Sequence, residues 1–426
     1  MKLSRRHRLV AVLGAGALIA AACGNDDDEA EVEEEPGEEQ PADEAQAEDP
    51  LVLGHIHPET GPLAFLDPPM VAGRDFAVED INAAGGVLGQ DLEVISGDEA
   101  GDEARAREEV DRLLSEGAVA IIGAAASGMS QAFIQTLFDN EIAQCSGSNT
   151  APDFSTQENA EFYFRTPTPD SLVGPVWGAE LTNAGVQTLS VAGRADDYGD
   201  ALRGFIVEAA EAEGIEVVGD VTYDPEAATF DAEVGQLTEG NPDAIALASF
   251  DEGGPIIKGL IEAGVSPDQI YGTDGIFGPT LPELVDETDP NIIDGLTVIG
   301  PAGGAEFNER LGEETGGNLI FGGQYYDCVV VTALAAEAAG TTTDSPAIAA
   351  EMIGVTRDGT ECATFEECKQ LLADGEDIDY QGVSGPLDFD EVGDPTVGRY
   401  GIAQFQDGEL VAVGEQDIGV EEVEGA

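Results

Sequence analysis

From residue 51 onward, short apolar runs alternate with amphipathic stretches, and a glycine or a polar turn separates most neighbours. The runs 51–56, 92–95, 119–123 and 142–145 are too short for helices and rich in Val, Ile and Leu, which predicts strands. Between them, 71–84, 102–115 and 127–140 carry helical patterning, and Gly85-Gly86 and Gly117 stop the first two. The alternation resumes with strands at 188–192, 215–219, 243–247 and 269–272 and helices at 200–213, 230–238 and 254–263. Short strands separated by helices of roughly ten to fifteen residues are the pattern of βαβ units on parallel sheets. The fold class is α/β. The alternation runs past the length of one doubly wound domain, so two Rossmann-like lobes with parallel-sheet cores are expected. No repeat of fixed period occurs, which removes solenoids and propellers. Ligands of open α/β sheets bind beyond the carboxyl ends of strands, so the loops after strands are where chemistry is sought.

The N-terminal region departs from this pattern. Lys2, Arg5, Arg6 and Arg8 precede an apolar run over 9–22 and then Cys23, the order of a secretory signal. That run is about half of what a spanning helix needs, and acids rather than a basic flank follow it. Ala20-Ala21-Ala22-Cys23-Gly24 resembles a lipoprotein cleavage box. It predicts a signal segment over 1–23 and a lipid on Cys23, with the chain held outside the cytoplasm at a membrane surface. Ser4-Arg5-Arg6 also resembles the start of a twin-arginine signal, so two export routes stay open. Residues 24–50 hold fourteen Asp or Glu and no basic or aromatic residue. Such a segment buries too little apolar surface to offset its ordering entropy and reads as a disordered acidic tether.

Charge then narrows the partners. The net charge is −71; with the four basic groups of the leader and the fourteen acids of the tether set aside, residues 51–426 still carry −61. A field of this sign repels phosphate backbones, which excludes nucleic acid. The acids are spread along the chain instead of gathered in ligand loops, and read as a solvated surface suited to high salt. The remaining cysteines fit an oxidising compartment. Cys362 and Cys368 bracket Thr364-Phe365-Glu366-Glu367, a capping box that opens a helix, and a bond across it is geometrically reasonable. Cys145 and Cys328 then either pair with each other or stand as buried thiols.

The catalytic inventory is thin. After the signal only His55 and His57 remain, at the end of the first strand, and with no third ligand nearby they read as polar residues of a strand terminus, not as a metal site. The sequence has no G-x-x-x-x-G-K phosphate loop, no G-x-G-x-x-G turn, no G-x-S-x-G elbow and no H-E-x-x-H pair. A hydrolase or dehydrogenase would need one of these, so a binding protein without cofactor or metal is expected. Small hydroxyl residues do stand out in post-strand loops. Ser127 follows Gly123-Ala124-Ala125-Ala126 and opens a helix, and Ser148 and Thr150 follow the next strand. Each reads singly as a cap or loop residue, but two such loops in succession suit an anionic group.

Longer motifs add a resemblance. They are Asp80-Ile81-Asn82-Ala83-Ala84-Gly85-Gly86-Val87-Leu88-Gly89, Phe164-Arg165-Thr166, Asp197-Tyr198-Gly199, Tyr271-Gly272-Thr273-Asp274-Gly275, Tyr325-Tyr326-Asp327 and the stretch from Tyr380 to Asp390. With them the chain, from about 51 to 413, resembles the periplasmic-binding-protein type I family, specifically the branched-chain amino-acid (Leu/Ile/Val-type) substrate-binding lipoproteins of ABC importers. The resemblance implies two lobes joined by a three-crossover hinge, lobe 1 over 51–166 and 301–394 and lobe 2 over 167–300 and 395–420. It implies Ser127 and Thr150 as donors to a ligand α-carboxylate, backbone contacts at Ser148, and Asp274 as partner of the α-ammonium. Tyr198 and Phe250 match cleft aromatic positions, Tyr326 an aromatic position near the hinge, and Phe65, after Gly61-Pro62, part of an apolar wall. A zwitterion needs donors, an acceptor charge and an apolar wall, since a buried unpaired charge is costly. The implied partners are a small amino acid and ABC permease subunits, with the binding protein itself a monomer. Asp274 is one methylene shorter than the Glu of the best-known amino-acid binders, and Phe250 lacks a hydroxyl that some relatives have. A small amide, urea or aromatic acid is therefore the alternative ligand, and a ligand-sensing receptor ectodomain the alternative role.

Overall fold

The computed structural model describes residues 49–157 and 160–419, which fall within one contact unit beginning at Ala47. The expected signal segment, Cys23 and nearly all of the tether lie outside the described residues. Strands β1 (Val52–His57), β2 (Glu93–Asp98), β3 (Ala120–Ile122), β4 (Ala143–Ser146) and β5 (Tyr163–Arg165) form one sheet in the order β2-β1-β3-β4-β5, all parallel. Helices α1 (Asp67–Ala83), α2 (Glu103–Ser115) and α3 (Ser127–Asp139) connect its first four strands. After α4 (Gly174–Asn183) the chain builds β6 (Thr188–Arg194), α5 (Asp197–Ala212), β7 (Glu216–Tyr223), α6 (Asp231–Leu237), β8 (Ala244–Ala248), α7 (Gly253–Glu262), β9 (Ile270–Gly272), α8 (Leu281–Asp286) and β10 (Thr297–Pro301). These five strands repeat the first order as β7-β6-β8-β9-β10.

The chain then returns to the first lobe through α9 (Ala305–Thr315), α10 (Gly322–Ala339), α11 (Ser345–Glu351), β11 (Thr360–Cys362), α12 (Phe365–Asp374) and β12 (Ile378–Tyr380). There α10 packs along α1, and β11 pairs with β12. Last, β13 (Val397–Gln406) joins the β10 edge antiparallel and turns into β14 (Glu409–Gly419). The chain thus passes between the two sheets three times: after β5, after β10 and before β13. In each sheet the strand order reverses beside the first-formed strand, which leaves a crevice at the carboxyl ends.

Local chemistry explains where the elements begin. α1 starts earlier than the expected residue 71 because Pro68 and Pro69 occupy its first turn, where a missing N–H goes unused and a fixed φ suits the helix. α5 starts at Asp197, before the expected 200, because the Asp196 carboxylate accepts the Gly199 N–H at 2.9 Å and caps it. α2 keeps its expected span: Asp102 caps it, and Ala106, Val110 and Leu113 bury one face. α10 is buried at every position from Gly322 to Ala336, so it has no polar face to produce a periodic signal. Thr364 caps α12 by accepting the Glu367 N–H at 3.2 Å, while the Glu367 carboxylate reaches the Ala363 N–H in place of the Thr364 N–H that a full box would use. The Cys362–Cys368 bond forms across this cap. Of the two states open to Cys145 and Cys328, the structure takes the bond, which joins β4 to α10.

Candidate functional site

Five loops at strand carboxyl ends converge. On the first lobe, Gly123 leaves β3 with φ +104°, and a Cβ there would meet the Ile56 carbonyl at 2.1 Å, so only glycine passes. Ser127 lies inside the first turn of α3, with Ala126 at the cap, and its hydroxyl accepts the Ala151 N–H at 3.4 Å. After β4, the Ser148 hydroxyl donates to the Ala125 carbonyl at 2.7 Å and meets the Tyr325 hydroxyl at 3.2 Å. Ser148 thereby ties its loop to the neighbouring one. The Thr150 hydroxyl is buried beside Asp170, whose ionised form it favours.

The second lobe supplies an aromatic stack and an acid. After β6, Tyr198 donates to Asp274 Oδ1 at 2.8 Å and meets the Thr273 hydroxyl at 2.8 Å. Phe250, after β8, stacks on Tyr198 with ring centroids 5.0 Å apart, and the Arg194 guanidinium lies 4.0 Å above the Phe250 ring. Arg194 is itself neutralised by Asp196 and by Glu252 at 2.9 Å, and Tyr223 donates to the same Glu252 oxygen. A cleft of about 390 Å³ opens between the lobes, with Leu63, Ser127 and Met129 on one side and Arg194, Tyr198 and Phe250 on the other. Beyond Tyr198, a much smaller cavity is lined by Thr150, Asp170, Asp274 and Tyr400.

Electrostatics single out this inner cavity. Burial pushes the Asp274 carboxyl up to about 6, since a charge there loses its water. Asp170 is raised well above the usual carboxylate range, first by burial and then by the nearness of Asp274. Its Oδ2 has no partner. The Thr150 hydroxyl and the nearby Arg165 charge offset this rise only in part, and a cationic group placed between the two buried acids would relieve both further.

A family model for periplasmic binding proteins matches residues 50–408. The chain belongs to the periplasmic binding protein family. This is a family of solute-binding proteins, not of enzymes. Among its relatives, the Leu-, Ile-, Val-, Thr- and Ala-binding protein of Pseudomonas aeruginosa is 25% identical over 234 residues, covering 54% of this chain and 62% of that protein. The Leu/Ile/Val-binding protein of Escherichia coli is 25% identical over 259 residues, 60% of this chain and 69% of that one. The matched region spans less than two thirds of the first of these relatives. Solved structures share the fold. A leucine-binding protein from Thermotoga maritima aligns with a TM-score of 0.73 at 21% identity, over 87% of this chain and 99% of that one. A solute-binding protein from R. palustris in complex with benzoate aligns with a TM-score of 0.69 at 17% identity, over 87% and 98%.

In this periplasmic binding protein the expected site residues divide. Ser127, Tyr198 and Phe250 line the main cleft, and Thr150 and Asp274 the inner cavity, while Ser148 braces the loop behind them. Tyr326 is not brought to either: its hydroxyl donates to Asp80 at 3.0 Å and its ring meets Phe307, within the α1–α9–α10 packing. On a helix consecutive residues point about 100° apart, and it is Tyr325 that reaches the Ser148 loop. Phe65 lines a separate small hollow with Asp251, Ile276 and Leu281. Asp170 and Arg194 were not anticipated, because a single acid or arginine in a polar loop has no distinguishing sequence signal. His55 and His57 are buried and stacked at 4.5 Å; Asp67 pairs with the His57 Nδ1, and Arg74 donates to the His55 Nδ1 at 2.9 Å. Burial above all holds the His55 pKa well below its usual value, so this ring is a neutral packing element. No group of three or more metal-ligating side chains occurs among the described residues.

Proposed function

We propose that this protein is the extracytoplasmic solute-binding component of an ABC importer, which closes around a small amino acid and delivers it to a membrane permease. The observation that carries the reading is the inner cavity, where the buried Thr150 hydroxyl of one lobe faces the buried carboxyls of Asp170 and Asp274. An α-ammonium between the acids, with the α-carboxylate toward Ser127 and Thr150, gives every charge of a zwitterion a partner. The Leu/Ile/Val-binding relatives support an amino acid. The benzoate-bound R. palustris structure raises a second ligand class, an aromatic acid. Such a ligand has no cation to offer Asp170 and Asp274, which favours the amine-bearing class. The lobes are 51–166 with 301–394, and 167–300 with 395–420. A lipid on Cys23 and the acidic tether over 24–50 would keep this trap near its permease at high effective concentration.

Thermal-shift screening against amino acids, small amides, urea and aromatic acids tests the reading. A ligand at a hundred times its Kd adds about 2.7 kcal/mol to stability, a rise of several degrees in Tm. An α-amino acid is expected to give the largest rise. A rise with benzoate or an amide and none with any amino acid would sink the amino-acid assignment.

A further inference from the structure

Arg165, the last residue of β5, has no exposed surface, yet every nitrogen of its guanidinium is used. Nε and Nη2 donate to the two carboxylate oxygens of Asp394 at 2.6 and 2.9 Å, and Nη2 also donates to the Ser155 hydroxyl at 2.8 Å. Nη1 donates to the carbonyls of Ala151 at 2.7 Å and Asn149 at 3.3 Å. The Arg165 N–H reaches the Gly393 carbonyl at 3.1 Å. Arg165 stands where the chain first leaves the first sheet, and Asp394 where it leaves for the last time. One buried cation therefore joins two of the three interlobe strands of chain to the loop that carries Thr150.

The loop is held with a consequence for the cavity. The carbonyls of Asn149 and Ala151 point to Arg165, and the Thr150 carbonyl between them accepts the Asp170 N–H at 2.8 Å. Three successive carbonyls are thus held by hydrogen bonds, which fixes the backbone that carries the Thr150 hydroxyl beside Asp170 and Asp274. Stability alone does not call for an arginine here, because a buried ion pair is often replaced by packed apolar residues without loss. Holding two carbonyls and a carboxylate at once does require the planar fork, which a lysine cannot supply.

We propose that Arg165, through Asp394, is a positioning residue of the binding site. It locks the 149–151 loop to the interlobe crossovers, so that the Thr150 donor keeps its orientation as the lobes close. The part concerning affinity rests on the amino-acid reading; the part concerning the loop rests on geometry alone.

The test uses the full protein, R165M/D394L, which removes both buried charges together, and R165K, which keeps the cation but not the fork. Amide hydrogen exchange is measured without ligand, alongside Tm and the Kd for L-leucine. In R165M/D394L, Tm is expected within a few degrees of the parent, while exchange across 149–151 rises about tenfold or more and that of β1 and β3 stays put. Kd is expected to rise about tenfold, with R165K lying between in both readouts. Parental exchange across 149–151 in either folded variant overturns the proposal, whether or not leucine binds, and R165K decides alone if the double variant does not fold. A parent protein that binds no amino acid sinks the functional reading only, and the exchange data still decide this one.

Discussion

Asp274 carries the sharpest consequence at the scale of single residues. Its carboxyl is buried, held by one hydroxyl, and pushed up to about 6 from an ordinary 3.8. In the ligand-free fold this resists ionisation. The contribution to stability is full below the unfolded pKa near 4 and is lost as pH rises through about 6. Binding of the proposed amine-bearing ligand would have the opposite sign, because an ammonium stabilises the ionised form. The affinity for an amine-bearing ligand should therefore fall as pH drops below about 6, with proton release on binding there, which calorimetry in buffers of different ionisation enthalpy would register. Asp274→Ala should leave Tm near the parental value and abolish this binding, a loss of about a hundredfold or more in Kd if the ammonium is left facing one acid instead of two. Unchanged affinity in that variant would remove Asp274 from the site.

The two disulfides differ by element rather than by bond. Cys145–Cys328 ties β4 to α10 and closes a loop of sequence separation 183, whereas Cys362–Cys368 spans a separation of 6 within a single cap. If a crosslink acts by restricting the unfolded chain, the long loop is worth about 5 kcal/mol and the short one about 2 kcal/mol, both as upper figures. Replacing Cys145 and Cys328 together with Ala should consequently lower Tm more than the same change at Cys362 and Cys368. Denaturant melts of the two double variants measure the difference, and equal losses would argue that native packing around α10 sets its stability instead. The same helix shows why the local sequence pattern thins out beyond residue 272. A helix buried from Gly322 to Ala336 carries no apolar stripe, and the edge hairpin β13–β14 breaks the parallel pattern.

Across the molecule as a whole, self-repulsion is the largest electrostatic effect. A net charge of −71 over 426 residues, with the acids spread over the surface, opposes compaction wherever screening is weak. The Debye length shrinks from about 10 Å at 0.1 M to about 3 Å at 1 M salt, so Tm should rise by several degrees across that range. Identical melts at low and molar salt would refute a surface adapted to high salt.

What the chain's own pattern determined was the α/β class, most of the strands and helices up to residue 272, with β5 and α4 missed, the cap that Cys362 and Cys368 bracket, and the loops in which a site would lie. These follow from periodicity, caps and glycine stops, which act over a few residues and are written locally. The motifs from Asp80 to Asp390 added the family, its two lobes and most cleft positions. Tertiary structure alone decided that Cys145 bonds to Cys328, that Tyr325 and not Tyr326 reaches the Ser148 loop, and that Phe65 turns to a separate hollow. It also brought Asp170 beside Asp274 and Arg165 to Asp394. Each of these joins segments far apart in the chain, and a pairing of that kind exists only once the sheets are formed and the crossovers have folded back between them.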